Sequence, residues 1–363
     1  MCALRSTLVG SLVISVLLVA LAPGAGAEPV TVDAVAWLLT QQQDDGSFEV
    51  AGFDGFETPD AVLAIAANAQ TTGTWSTAEA RDAVDAVAFG GTGPTPLDWL
   101  DAWVEGGTVP AEQQAKLILL VAAPLGLDPA DFDPADDDAP GDGVDLTAGI
   151  DGISPGLFNG FMFGRLAEAE LGQNVHQRDL QVICEAAKAS GGGWSFDGRP
   201  DATNAADMDS TGFAVMTLIA AGVAPADAVL ASAETFVTDG QQVNGSWLSF
   251  GSEDPNATTL AVWAEVALGN ALGSLAHDPL GWLRTQQAGD DHIISPNDGF
   301  GVNTFATSQT IQALHLDQPG GDWLPRPAAD TGRRCIVPDT YTAVSYTHLD
   351  VYKRQRPRDS SPG

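Results

Sequence analysis

The stretch Leu180–Gly222, LQVICEAAKASGGGWSFDGRPDATNAADMDSTGFAVMTLIAAG, limits what this chain can fold into more than any other feature. It holds a helix-like run, a glycine stop closed by Trp194, an Asp-rich loop, and a second, more apolar helix with Phe213, Met216, Ile219 and Ala220 at helical spacing. Gly222 ends that helix, and Asp209, Ser210 or Thr211 can supply its N-cap, because a short side-chain oxygen accepts from the free amides of a first turn. A hairpin of this kind buries its apolar face only against a neighbouring hairpin, so the unit has to recur.

It does recur. Val35–Gln42 with Gly46 and Phe48, Ala233–Gln242 with Gly245 and Trp247, and Leu280–Gln287 with Gly299 and Phe300 repeat the first helix and its glycine-aromatic stop. Apolar second helices follow at about Pro59–Asn68, Thr258–Gly269 and Thr307–Leu316, with Pro59 at a first-turn position where its missing amide costs nothing. From Gly46 the next marker, Gly193, lies 147 residues on, followed by steps of 52 and 54, so two degenerate copies fall in the first interval. Helices near Thr77–Ala88, Leu97–Glu105, Ala111–Ala123 and Gly160–Gly172 belong to them. Six hairpins of roughly fifty residues, each with the more apolar helix second, predict an all-α fold closed into a ring, with the second helices as the buried inner layer.

The ends read differently. Residues 1–27 have the form of a signal peptide: Arg5, an apolar run from Leu8 to Ala22, and Ala25-Gly26-Ala27 before Glu28. That run is shorter than the ~18 apolar residues of a spanning helix, so secretion without a stable membrane span is expected. Residues 341–363 hold all three tyrosines and four of the fifteen basic residues, and Ser345–Gln355 resembles a translated sequencing adaptor, so 28–340 is read as the repeat domain. A net charge of −33 disfavours nucleic acid and anionic lipid as partners. Within the acidic stretch 128–145, Asp131 and Asp133 alternate as calcium ligands do, yet the calcium-loop glycine and glutamate are missing; a solvated loop and no resident metal are expected. Cys184 and Cys335 are too few for a disulfide framework, which favours free buried thiols over a bridge between them.

The WLLTQQ…DGSF, QQ…GSW and WLRTQQ…DGF segments resemble the QW repeats of the α/α-toroid superfamily of squalene-hopene cyclases, prenyltransferase β subunits, cobalamin carriers and thioester domains. The resemblance covers about 33–318 and implies an α/α toroid, a six-hairpin α6/α6 barrel, of the prenyltransferase and squalene oxidase repeat type. In such repeats the glutamine amide satisfies carbonyls at the end of an outer helix and the aromatic wedges between repeats. No thioester motif is present, and Cys184 with the scattered His176, His277, His292 and His315 makes no zinc site.

The cyclase acid motif, Asp-x-Asp-Asp, is matched at three of four positions by Asp207-Met208-Asp209-Ser210, with Ser210 in place of the last carboxylate. The resemblance therefore implies Asp209 as acid, beside Asp207, in a cavity lined by Phe158, Phe161, Phe213, Trp263 and Phe305. On its own chemistry Asp209 reads instead as an ionised helix cap. The leading expectation is an exported toroid that binds a hydrophobic small molecule or an extracellular protein, without a cofactor and without chemistry of its own. A terpene-cyclase-like isomerase using Asp209, and a carrier of a cobalamin-like or lipid cofactor, are the alternatives.

Overall fold

The computed structural model describes residues 28–49, 54–107, 109–135, 143–189, 191–201, 203–296, 304–318, 321 and 331–336. The expected signal peptide and the 341–363 tail lie outside the described residues. Apart from a two-residue hairpin, β1 (Leu248–Ser249) with β2 (Ser252–Glu253), the regular structure described is helical.

Six helical segments pack side by side: α2 (Thr58–Asn68), α5 (Ala111–Leu117) continued through a π-turn at Ile118–Ala122 into α6 (Ala123–Leu125), α7 (Phe158–Glu170), α9 (Met208–Ala220), α11 (Pro255–Leu268) and α13 (Thr304–His315). Each meets the next, and α13 returns to α2, so the contacts form a closed cycle. These are the apolar second helices of the repeats; every residue of α2 is buried. Close approach depends on small residues: a Cβ on Gly212 would stand 2.8 Å from the Leu260 carbonyl oxygen of α11.

Around them lie α1 (Pro29–Leu39) on α2 and α13, α3 (Thr77–Asp85) on α2 and α6, α4 (Pro96–Gly106) beside α3, α8 (Gln177–Ala186) on α9, α10 (Ala228–Gly240) on α9 and α11, and α12 (Pro279–Thr285) on α11 and α13. The hairpin count is irregular at one place. Between Leu125 and Phe158 the described residues hold no α-helix, only the short 3-10 turn at Ile150–Gly152.

One hydrogen-bond pattern marks the repeats. A threonine Oγ1 of an inner helix accepts the amide of the residue that closes the preceding turn: Phe48 to Thr58 at 2.9 Å, Trp194 to Thr211 at 3.0 Å, Trp247 to Thr258 at 3.0 Å, and Ile293 to Thr307 at 3.1 Å. The last of these corrects the expected register. The fourth closing residue is Ile293, not Phe300, and the left-handed turn position held by Gly46 (φ 96°), Gly192 (φ 70°) and Gly245 (φ 100°) is taken there by Asp291 (φ 78°). Asp298-Gly299-Phe300 lies outside the described residues. The sequence hides this copy because glycine, the visible marker of positive φ, is replaced by a residue that tolerates it only at a cost.

The expected glutamine role holds. Gln42 Nε2 donates to the Gly46 carbonyl at 3.1 Å and the Val87 carbonyl at 3.4 Å; Gln241 Nε2 donates to Gly245 at 3.4 Å and His277 at 3.0 Å. Gln287 does the same to Asp291 at 3.4 Å and, across the seam between last and first repeats, to Val30 at 3.3 Å. Arg284 adds an ion pair to Glu28 at 2.8 Å over that seam. The indoles of Trp194 and Trp247 are fully buried and donate to Ile183 and Val237 carbonyls of their own outer helices, at 2.7 and 2.6 Å.

The expectation of free thiols is overturned. Cys184 of α8 and Cys335 are disulfide-bonded, with Cα atoms 5.5 Å apart. The bridge holds the segment 331–336 across the α8–α10 region. There the Cys335 amide donates to Asp227, and Gln181 exchanges hydrogen bonds with the Ile336 backbone at 2.6 and 3.2 Å. Two cysteines 151 residues apart give no sequence sign that the chain returns to this point.

Candidate functional site

All six inner helices begin at the same end of the helical cycle, and a cavity of about 690 Å³ opens there. Seven aromatic side chains line it. Phe56 and Phe305 stack with centroids 4.9 Å apart, Phe163 and Phe213 pack at 4.5 Å, and Phe158, Phe196 and Trp263 complete the lining. Leu120, in the π-turn, and Leu260 line it as well. A π-turn widens a helix by one residue, and such turns recur where a helix wall is reshaped around a site.

Of the five predicted cavity aromatics, four line this space: Phe158, Phe213, Trp263 and Phe305. Phe161 does not. It is 1% exposed, lies under the Arg165 guanidinium at 5.1 Å, and belongs to the packing around Arg165, which pairs with Glu168 at 2.9 Å and Asp179.

The carboxyl pair separates into two roles, and the expectation that Asp209 caps its helix is corrected. The cap of α9 is Asp207, whose Oδ1 accepts the Ser210 amide at 2.7 Å and whose Oδ2 accepts the Phe196 amide at 2.9 Å. Burial still raises the Asp207 pKa against these bonds. Asp209 sits in the first turn of α9, lines the cavity, and has its Oδ1 buried with no hydrogen-bond partner. Burial first, then repulsion from Asp207 and from Asp254 at the cap of α11, lifts Asp209 to about 7. An ionised carboxylate that is desolvated and unpaired costs free energy, so the group holds a proton through most of the range in which ordinary aspartates have lost theirs.

Sequence reading missed the other charged feature of the cavity. Lys116 of α5 pairs with Asp60 of α2 at 2.7 Å, donates to the Phe56 carbonyl, and rests over the Phe56 and Phe305 rings at 4.8 and 5.4 Å. Gln312 donates to the Asp60 backbone carbonyl at 2.8 Å, and Gln309, which accepts from Asn256 at 2.9 Å, stands beside the carboxylate. The available signal was a lone lysine inside the apolar run AEQQAKLILLVAA and a lone aspartate opening the apolar α2. A charge is retained in such surroundings only when it is paired.

Among the described residues no cluster of His, Cys, Asp or Glu could hold a metal ion. Asp131 is exposed and Asp133 half-buried, and their segment is closed at its base by Phe132 and Val144, which exchange backbone hydrogen bonds at 3.0 and 3.1 Å. Residues 136–142 of the acidic stretch lie outside the described residues.

No family model matches the chain. No curated protein matches it either. A solved structure titled "Glycosidase Wild Type" is similar over 82% of this chain and 97% of its own, with 15% identity and a TM-score of 0.49. Substituted forms of a glycosidase give 16% identity over the same spans, with TM-scores of 0.49 and 0.45. At that identity and score the likeness assigns no residue a role.

Proposed function

We propose that the chain is an exported α/α toroid whose cavity at the inner-helix N-termini binds an apolar small molecule. The observation that carries this reading is the space of about 690 Å³, within the range of small-molecule sites, whose exposed lining is mostly apolar and includes seven aromatic side chains. The closed cycle of inner helices and the Gln287–Val30 seam support the toroid. The Cys184–Cys335 bridge supports export, since such bridges persist in oxidising compartments. No helix of the described residues is long and apolar enough to cross a membrane.

Calorimetric titration of the purified chain with 1-adamantanol, a compact apolar probe, tests the binding. Saturable binding that weakens about tenfold in Phe213→Ala is expected, the value of roughly one aromatic contact. An absence of binding to the parent protein refutes the reading.

The state of Asp209 favours a second reading, a terpene-cyclase-like isomerase. A carboxyl half-protonated at neutral pH in an aromatic cavity is placed to donate a proton to an alkene, whose cationic product the rings would stabilise. Conversion of squalene or a polyprenyl diphosphate by the parent chain, lost in Asp209→Asn, would establish it. On the binding reading neither form converts them.

A further inference from the structure

The polar groups of the cavity are unbalanced. Asp60, Glu112, Asp197 and Asp209 line it, against the single basic side chain Lys116. Lys116 is already committed to Asp60 at 2.7 Å and to the Phe56 carbonyl, so it has little left to offer an anion. Asp197, at the rim, is engaged with Ser195 at 2.8 Å and Asn204 at 2.7 Å. Asp209 differs from these: its Oδ1 is buried and accepts nothing. One helical turn on, Phe213 faces the same space and packs on Phe163, so an unsatisfied acceptor and a pair of ring faces share one wall. The opposite wall shows how such rings treat a cation, since Phe56 and Phe305 hold the Lys116 ammonium 4.8 and 5.4 Å from their centroids.

Resting on the binding reading above, we propose that the ligand is an apolar amine, bound as its ammonium ion, with the nitrogen donating to Asp209 Oδ1 beside the Phe163–Phe213 pair. A donor there satisfies a buried acceptor of the site that has no partner, and the positive charge gains from ring faces that an alcohol engages weakly. An anionic ligand meets a cavity with no free cation among its lining residues.

The arrangement couples binding to a proton. The ammonium selects ionised Asp209, which is about half the population at pH 7, so binding there releases about half a proton to the buffer. Affinity rises with pH through about 7 and levels off above it. The groups facing Asp209 are Asp207 on its own helix, Asp254 at the cap of α11, and Asp197, Glu112, Asp60 and Lys116 around the cavity.

The experiment compares 1-adamantylamine, cationic across the range used, with the near-isosteric neutral 1-adamantanol, by calorimetry on the full chain at pH 5 and pH 8.5. At pH 8.5 the amine is expected to bind at least about tenfold more tightly than the alcohol. At pH 5 the competent fraction is about one in a hundred, which removes that preference. Asp209→Asn should abolish the preference, and an unchanged helical circular-dichroism spectrum with cooperative urea unfolding checks that the variant is folded. An amine no tighter than the alcohol, or a preference that survives in Asp209→Asn, overturns the inference while leaving the apolar cavity reading in place. Binding of neither probe refutes both.

Discussion

Replacing Asp209 by asparagine should stabilise the protein at alkaline pH and do nothing at acid pH. In the folded chain the Asp209 carboxyl titrates at about 7, against 3.8 for the free side chain. Below about pH 4 the group is neutral in both states and contributes no difference. Between about 4 and 7 the unfolded chain loses this proton while the folded chain keeps it, so folded stability falls as pH rises, and the penalty is complete above about 7. At 1.36 kcal/mol per unit the three-unit rise sets an upper bound of about 4 kcal/mol. Asp209 keeps some solvent contact, and screening brings the expectation to about 2 kcal/mol. Asparagine has nearly the same shape and no charge to desolvate. Urea unfolding of both proteins at pH 4.5, 6 and 8 reads the difference. Glu168, raised to about 7 mainly by burial, is common to both and cancels. Equal pH dependence in the two proteins, or a variant weaker than the parent at pH 8, would show that Asp209 is ionised and held by its surroundings, and the argument would fail.

Asp207→Ala should cost about 1–2 kcal/mol, since it frees the amides of Ser210 and Phe196 that its two oxygens hold; a loss under half of that by urea unfolding counts against Asp207 as the cap. Asp291→Gly should raise stability by about 0.5–1 kcal/mol by relieving a left-handed backbone at φ 78°, readable as a rise in melting temperature. Cys184→Ser should lower stability by about 2–4 kcal/mol, and a thiol reductant should then have no further effect on the variant; an unshifted melting temperature would mean that the strap at 331–336 is not held by the bridge.

Helical periodicity and glycine stops made the inner helices legible, because burial leaves α2, α9, α11 and α13 almost without charge, a pattern visible along a single strand of text. The glutamines were legible too, since their amides answer carbonyls fixed by the local turn. What failed were features that depend on where distant segments meet. Cys335 reaches α8 through a return of the chain that no local pattern announces. The fourth repeat was misplaced because Asp291 holds a glycine conformation without being glycine. Lys116 was passed over inside a hydrophobic run, although its pairing with Asp60 joins α5 to α2. Phe161 was placed in the cavity because it shares a helix with Phe158 and Phe163. Helical spacing puts Phe161 near the face of Phe158, and only its contact with the buried Arg165 guanidinium, which the sequence does not announce, takes it out of the lining.

The two carboxyls of α9 show why the acid motif was ambiguous. A helix N-terminus favours negative charge, and that consideration alone ionises both Asp207 and Asp209. Only one can reach the free amides. Asp207, preceding the helix with extended backbone, places its oxygens on the Ser210 and Phe196 amides. Asp209, already inside the first turn, has its side chain directed away from those donors and over the cavity, where it gains burial and the repulsion of Asp207 and Asp254 instead. The capping residue therefore helps to keep its neighbour protonated. It follows that Asp207→Asn, which keeps an acceptor for the Ser210 amide but removes a charge, should lower the Asp209 pKa. Followed by carboxyl NMR or by the pH dependence of stability, the midpoint should move toward acid by a fraction of a unit, because burial and Asp254 remain. No movement would mean that desolvation and Asp254 set the Asp209 proton without Asp207, and that the spacing of the two aspartates has no electrostatic consequence.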